Sequence, residues 1–241
     1  MPVLQLIRRV LNVLKKFAYP DHIIPKSVYQ IYVEDQNYQC FLHFKELLKS
    51  TLLLTTKKIR EYAIKESIKN DSNSDYTYLE FGVFSGTTIT FFSKYLTKNK
   101  IYGFDSFEGL KEHWLGTTVT KGTFDLKKKI PTLPKNVVPV AGWIQDTLPP
   151  FLNEKKPKIN FVHIDVDTYE TTKFILDLIK PQLVKGAIIL FDELYNFEGW
   201  DVGEYKALTE VFAKNKYKFE ACAHDGRQAL IKILNYFIQT G

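Results

Sequence analysis

The sequence predicts a doubly wound α/β domain, a mainly parallel seven-stranded sheet with a helical extension at its N-terminus. Three observations predict it. After residue 75, short apolar runs alternate with helical stretches, the pattern of right-handed crossovers in a parallel sheet covered on both faces. Glycines and carboxylates fall at the ends of those runs, where open α/β sheets bind ligands. The length of 241 residues and an apolar content of 45% suffice for one such core plus a helical cap.

Taken in order, residues 4–17 have helical periodicity. Leu4, Ile7, Val10, Leu11 and Leu14 share one face, with Arg8, Arg9, Lys15 and Lys16 elsewhere. Such a helix packs on its own domain or on a second copy of the chain, giving a homo-oligomer, or rests on an anionic membrane surface. Pro20 and Pro25 break up residues 19–38, and residues 41–69 read as one or two helices. The polar run 70–75 is a loop. Strands follow at 76–81, 101–104, 137–140, 159–164 and 187–191, with helices at 87–97 and 171–180. Residues 217–223 and 230–234 read as a closing antiparallel pair. The division expected is a helical extension over 1–70, acting as a lid or oligomer contact, and a catalytic domain over 71–241.

The formal charge is +6, but the arginines are only Arg8, Arg9, Arg60 and Arg227, and the lysines are scattered. Nucleic-acid readers favour arginine forks, so a nucleic-acid partner is not expected. Cys40 and Cys222, two distant cysteines, fit buried thiols in a reducing compartment rather than a disulfide scaffold. No apolar run reaches bilayer length and no signal-peptide core stands at the N-terminus, so a cytoplasmic location is expected.

The chemistry starts at Glu80-Phe-Gly-Val-Phe-Ser-Gly86, a strand running through a glycine turn into a helix. Glycines let a ligand approach the backbone closely. A dinucleotide fingerprint has glycine where Glu80 stands, and a carboxylate there repels pyrophosphate but suits a sulfonium cofactor. Asp105 ends the next strand about twenty residues on, where an acid holds ribose hydroxyls of either NAD or S-adenosylmethionine; with Glu80, it favours the methyl donor. Asp165, Asp167, Asp192 and Glu193 end neighbouring strands. Carboxylates so clustered need a proton or a cation, and hard oxygen donors fit Mg²⁺, with Mn²⁺ or Ca²⁺ as substitutes.

These blocks, with Gly103-Phe-Asp-Ser-Phe-Glu-Gly-Leu110, Gly142-Trp-Ile-Gln-Asp-Thr-Leu-Pro149, Phe161-Val-His-Ile-Asp-Val-Asp-Thr-Tyr-Glu170 and Lys185-Gly-Ala-Ile-Ile-Leu-Phe-Asp-Glu193, resemble the macrocin O-methyltransferase family of class I S-adenosylmethionine-dependent methyltransferases. That family methylates sugar hydroxyls of antibiotics. The likeness covers residues 76–215. It implies Glu80 and Gly82 beside the methionine moiety, with Ser85 and Gly86 in the same turn. It further implies Asp105 and Ser106 at the ribose, Gly142 and Trp143 near the adenine, and Asp165 facing the cofactor. It implies a divalent metal on Asp165, Asp192 and Glu193, although most relatives carry aspartate at the last position.

The reaction expected is in-line attack of a sugar hydroxyl on the sulfonium methyl, with metal lowering the hydroxyl's pKa and Asp165 taking the proton. Asp167 is assigned to the cofactor side or to structure. Where some relatives place a histidine base this chain has Thr168, and His163 and His224 read as structural. Trp200 either stacks on a sugar or anchors its loop. The alternatives are a catechol-like or nitrogen acceptor on the same fold, or a non-catalytic module binding a nucleotide or partner protein.

Overall fold

In a computed structural model of the chain, the structure describes residues 25–235 together with Ile7 and Val10. The amphipathic helix expected over 4–17 lies outside the described residues, apart from Ile7 and Val10, both half exposed. The first described helix, α1 (Val28–Leu48), begins earlier than the prolines suggest. Ser27 Oγ accepts the Gln30 amide and Gln30 Oε1 accepts the Ser27 amide, a capping box that starts the helix three residues past Pro25.

There follow β1 (Leu52–Leu54), α2 (Thr56–Lys69), β2 (Thr77–Phe81), α3 (Thr87–Ser93), β3 (Ile101–Asp105), β4 (Val137–Ala141), α4 (Ile144–Lys155) and β5 (Ile159–Ile164). The chain continues through α5 (Tyr169–Ile179), β6 (Leu183–Phe191), α6 (Glu204–Val211), β7 (Tyr217–Ala223) and β8 (Ala229–Ile233). Among the described residues the sheet has eight strands in the order β1-β7-β8-β6-β5-β2-β3-β4, and of these only β8 runs antiparallel to its neighbours. The strand beyond the expected seven is β1, three leucines long, which lies parallel to β7 at the edge. A three-residue run has no readable alternation, which is why sequence pattern misses it. Both β1 and α2 thus join the sheet layers, although they precede residue 70.

Every residue of β5 is buried, as expected for a central parallel strand covered on both faces. One apolar layer holds Leu79, Phe81, Phe104, Val162, Ile164, Ile189 and Phe191. The other holds Tyr78, Phe161, Ile188 and Leu190 against Ile59, Ala63 and Ile64 of α2 and Ile89 and Phe92 of α3. Truncating a fully buried phenylalanine such as Phe161 to alanine should cost about 3–5 kcal/mol. Cys40 and Cys222 are both buried free thiols. Among the described residues, no helix is long and apolar enough to cross a membrane.

Strand order reverses at β2, with β3 and β4 on one side and β5 and β6 on the other. A crevice opens beyond the carboxyl ends of strands at such a point.

Candidate active site

The crevice is a cavity of about 420 Å³. At its floor Gly82 donates its amide to the Phe104 carbonyl at 2.9 Å, and Asp165 donates to the Phe81 carbonyl at 2.9 Å. The backbones are so close that a Cβ on Gly82 would lie 1.7 Å from the Asp165 carbonyl oxygen, and Gly82 has φ +88°. Only glycine fits there.

Asp105 ends β3 and turns its carboxylate to the glycine turn. One oxygen accepts the amides of Val83 at 2.8 Å and Phe84 at 2.7 Å, and the other accepts Phe107 at 2.6 Å. Asp105 therefore holds the shape of the turn after β2 and also lines the cavity. Trp143, Ile144 and Gln145 form the wall beyond β4, and Lys111 Nζ stands 5.6 Å from the centre of a Trp143 ring.

The opposite wall is acidic. Ligand oxygens of Asp165, Asp167 and Glu193 lie within 4.8 Å of one another, and Glu193 Oε2 is buried without a hydrogen-bond partner. Asp167 joins this cluster because β5 ends at Ile164 and the chain beyond it turns through a left-handed residue, φ +64° at Asp167. Burial, and then the Asp192 charge, push the Asp165 carboxyl well above the usual carboxylate range. The same two causes act on Glu193. Burial, reinforced by Asp192 and eased by Arg227, takes Asp167 up to about 7.

Beneath this wall runs a second, charge-neutralised layer. Asp192 Oδ1 accepts from Arg60 Nη2 at 2.8 Å and faces His163 Nε2 at 3.3 Å, while His163 Nδ1 lies 3.3 Å from Glu80 Oε2. Burial favours neutral His163, but Asp192 and Glu80 on its two sides override it and raise its pKa to about 10. Burial alone would raise Asp192; His163 and Arg60 instead hold it well below the ordinary value. Glu204, at the start of α6, accepts the Glu193 amide at 3.0 Å and is itself pushed up by burial. Among the described residues around the site, the carboxyls of Glu80, Asp165, Asp167, Asp192, Glu193 and Glu204 outnumber the cationic groups Arg60, Lys111, His163 and Arg227. That excess of buried carboxyl groups, together with the orphaned Glu193 oxygen, fits a hard divalent cation, which would favour their ionised forms.

Of the residues singled out from sequence, Gly82, Asp105, Ser106, Trp143, Asp165 and Glu193 line the cavity. Glu80 does not; it is fully buried and faces His163, so it bears on a ligand only through that layer. Ser85 is exposed and bonds Thr87, and Gly86 and Gly142 shape turns at φ +81° and +136° without lining the cavity. Asp192 does not line the cavity, but its carboxylate oxygen lies within 4.8 Å of ligand atoms of Asp165 and His163, so it stays next to the acidic wall. Trp200 packs against His43, Phe44 and Tyr205 and is buried, which makes it the anchor of its loop rather than a stacking platform. His224 is exposed and lies outside the cavity. Pattern reading missed Trp114, Phe124, Arg60 and Arg227; only the two arginines carried a signal, as rare arginines in a lysine-rich chain.

A family model described as a methyltransferase domain matches residues 79–194, the span from the glycine turn to the acidic wall. No curated protein matches the chain by sequence. Among solved structures, the calicheamicin methyltransferase CalS11 aligns at TM-score 0.59 and 21% identity, covering 87% of this chain and 94% of that one. The O-methyltransferase NovP aligns at TM-score 0.55 and 18% identity, covering 74% and 79%. A Bacillus cereus O-methyltransferase solved with SAH aligns at TM-score 0.50 and 12% identity, covering 94% and 97%. The fold is therefore that of the Rossmann-like class I methyltransferases. With a methyltransferase domain spanning its cavity, the chain is an S-adenosylmethionine-dependent methyltransferase.

Proposed function

We propose that the chain is a divalent-metal-dependent O-methyltransferase acting on a hydroxyl of a sugar or glycosylated small molecule. The observation that carries this reading is the meeting of Asp165, Asp167 and Glu193 at one wall of a cavity whose other wall is the Gly82–Asp105–Trp143 side. On this reading the Gly82 turn, Asp105, Ser106 and Trp143 hold S-adenosylmethionine, and Asp165 lies where the two walls meet. Asp165 and Glu193 hold the metal, and Asp167 stands within reach of the same place. Asp192 supports them from below, with its charge fixed by Arg60 and His163. A bound Mg²⁺ would lower the pKa of a coordinated hydroxyl. Asp167, whose carboxyl oxygen lies within 4.8 Å of those of Asp165 and Glu193, joins Asp165 as a proton acceptor. The acceptor class is supported by CalS11, which is described as a TDP-rhamnose 3'-O-methyltransferase. The division into an N-terminal extension and a methyltransferase domain, a cytoplasmic location and a homo-oligomer belong to the same proposal.

The test is methyl transfer from labelled S-adenosylmethionine to a panel of hexosides, catechol and amines, with Mg²⁺ and with EDTA. Label on a hexoside hydroxyl that disappears with EDTA is the expected result. Label on catechol or an amine, or transfer indifferent to EDTA, would overturn the acceptor or the metal assignment respectively.

A further inference from the structure

Arg227 lines the acidic end of the cavity, in the loop between β7 and β8. Its backbone carbonyl accepts the amides of Leu194 and Tyr195, which fixes the loop against the end of β6. Its guanidinium lies 4.9 Å from the Phe197 ring and 5.8 Å from the Trp114 ring, and meets no hydrogen-bond acceptor or ion pair among the described residues. The other arginine near the site, Arg60, is spent on Asp192. Cation–π contact with two aromatic rings restrains the guanidinium without using its hydrogen-bond donors. A pre-oriented fork with unspent donors, facing a ligand cavity, is the arrangement that reads a planar or tetrahedral oxyanion through two parallel hydrogen bonds. Its charge acts on the Asp167 carboxyl, and its backbone carbonyl holds Leu194, the residue after Glu193, so both acids share this part of the cavity wall with it.

Building on the methyltransferase reading, we propose that Arg227 is the acceptor-specificity residue and that the acceptor carries an anionic oxygen group, phosphoryl or carboxylate. The hydroxyl to be methylated then faces the Asp165–Glu193 wall, and the anion docks on Arg227. Glu193 and Asp167 beside it would repel an anion placed anywhere else at this end, so the arginine fixes the acceptor's orientation as well as its charge.

The test follows the Arg227 side-chain Nε–H signal by NMR in SAH-saturated protein with EDTA present, so that no metal captures the anion. Inorganic phosphate and acetate are titrated separately at constant ionic strength with chloride as the control. A saturable shift with phosphate, with acetate or with both is expected, and the more effective probe names the anion class. Anion affinity of the variants, which lack the reporting Nε–H, is read by calorimetric titration beside wild type: Arg227→Gln should weaken that binding about tenfold or more, as loss of a charge-assisted pair implies, while SAH affinity stays unchanged. Arg227→Lys, which keeps charge but not the fork, should fall between. No shift beyond the chloride control would overturn the proposal. So would an Arg227 signal that moves on SAH addition with SAH affinity lost in Arg227→Gln, which would make it a cofactor residue. Failure of wild-type protein to bind SAH at all would instead strike the methyltransferase reading.

Discussion

Gly82 and Asp165 touch backbone to backbone: a Cβ on Gly82 would fall 1.7 Å from the Asp165 carbonyl oxygen. The end of β2 and the end of β5 are thereby locked at the point where strand order reverses, and both walls of the cavity are referred to one contact. Gly82→Ala should be among the most damaging single changes in the chain, because it adds left-handed strain at φ +88° to a collision with main chain that no rotamer relieves. A stability loss of at least about 3 kcal/mol is expected in denaturant melts, with cofactor binding lost in any folded fraction. A Gly82→Ala protein with wild-type stability and binding would show that the two strand ends are not coupled as described.

The acidic wall predicts a metal response separable from cofactor binding. Mg²⁺ at about a hundred times its Kd should stabilise the protein by about 2.7 kcal/mol, a rise of roughly 5–10 °C in melting temperature for a chain of this size. Glu193→Gln should abolish most of that rise and the catalytic rate together, leaving S-adenosylmethionine affinity within about threefold of wild type. Equal Mg²⁺ stabilisation of wild type and variant would remove Glu193 from the ligand set.

The same charges set a pH dependence for metal-free protein. Asp167 is raised from 3.8 to about 7, so the stability that its neutral form contributes is complete below 3.8 and lost as pH climbs through about 7. His163 is raised from 6.5 to about 10, so its charged form contributes fully below 6.5 and fades as pH passes through about 10. Both slopes have one sign, and Glu61, held at about 2 by Lys65 and Lys58, is already ionised across this window. Melting temperature in EDTA should fall continuously from pH 6.5 to about 10, and Mg²⁺ should flatten the part due to Asp167 by favouring its ionised form. A flat or rising profile in EDTA would contradict the buried charge layer.

Much of this was legible in the sequence, for particular reasons. Fully buried parallel strands such as β5 are continuous apolar runs that pattern reading finds, and Gly82, Asp105, Asp165 and Glu193 are named by their place at strand ends. The edge strand β1 was too short to show a period, and the capping box at Ser27 was hidden behind Pro25. The contacts of Glu80 and Asp192 with His163 and Arg60 were not legible, because they depend on side-chain direction and on partners far along the chain. Asp167 was set apart from its cluster because its left-handed backbone has no mark in an aspartate. Trp114 and Arg227 reach the cavity from loops remote in sequence.

The most direct test of the account titrates S-adenosylmethionine calorimetrically into wild-type protein and into Asp105→Ala. Asp105 both lines the cavity and holds the amides of Val83, Phe84 and Phe107, so its loss removes a contact and loosens the turn. The account predicts saturable binding at one site per chain in wild type, weakened by about a hundredfold or more in the variant. Absence of binding to wild type, or equal binding to both proteins, would contradict the assignment of this cavity to the methyl donor.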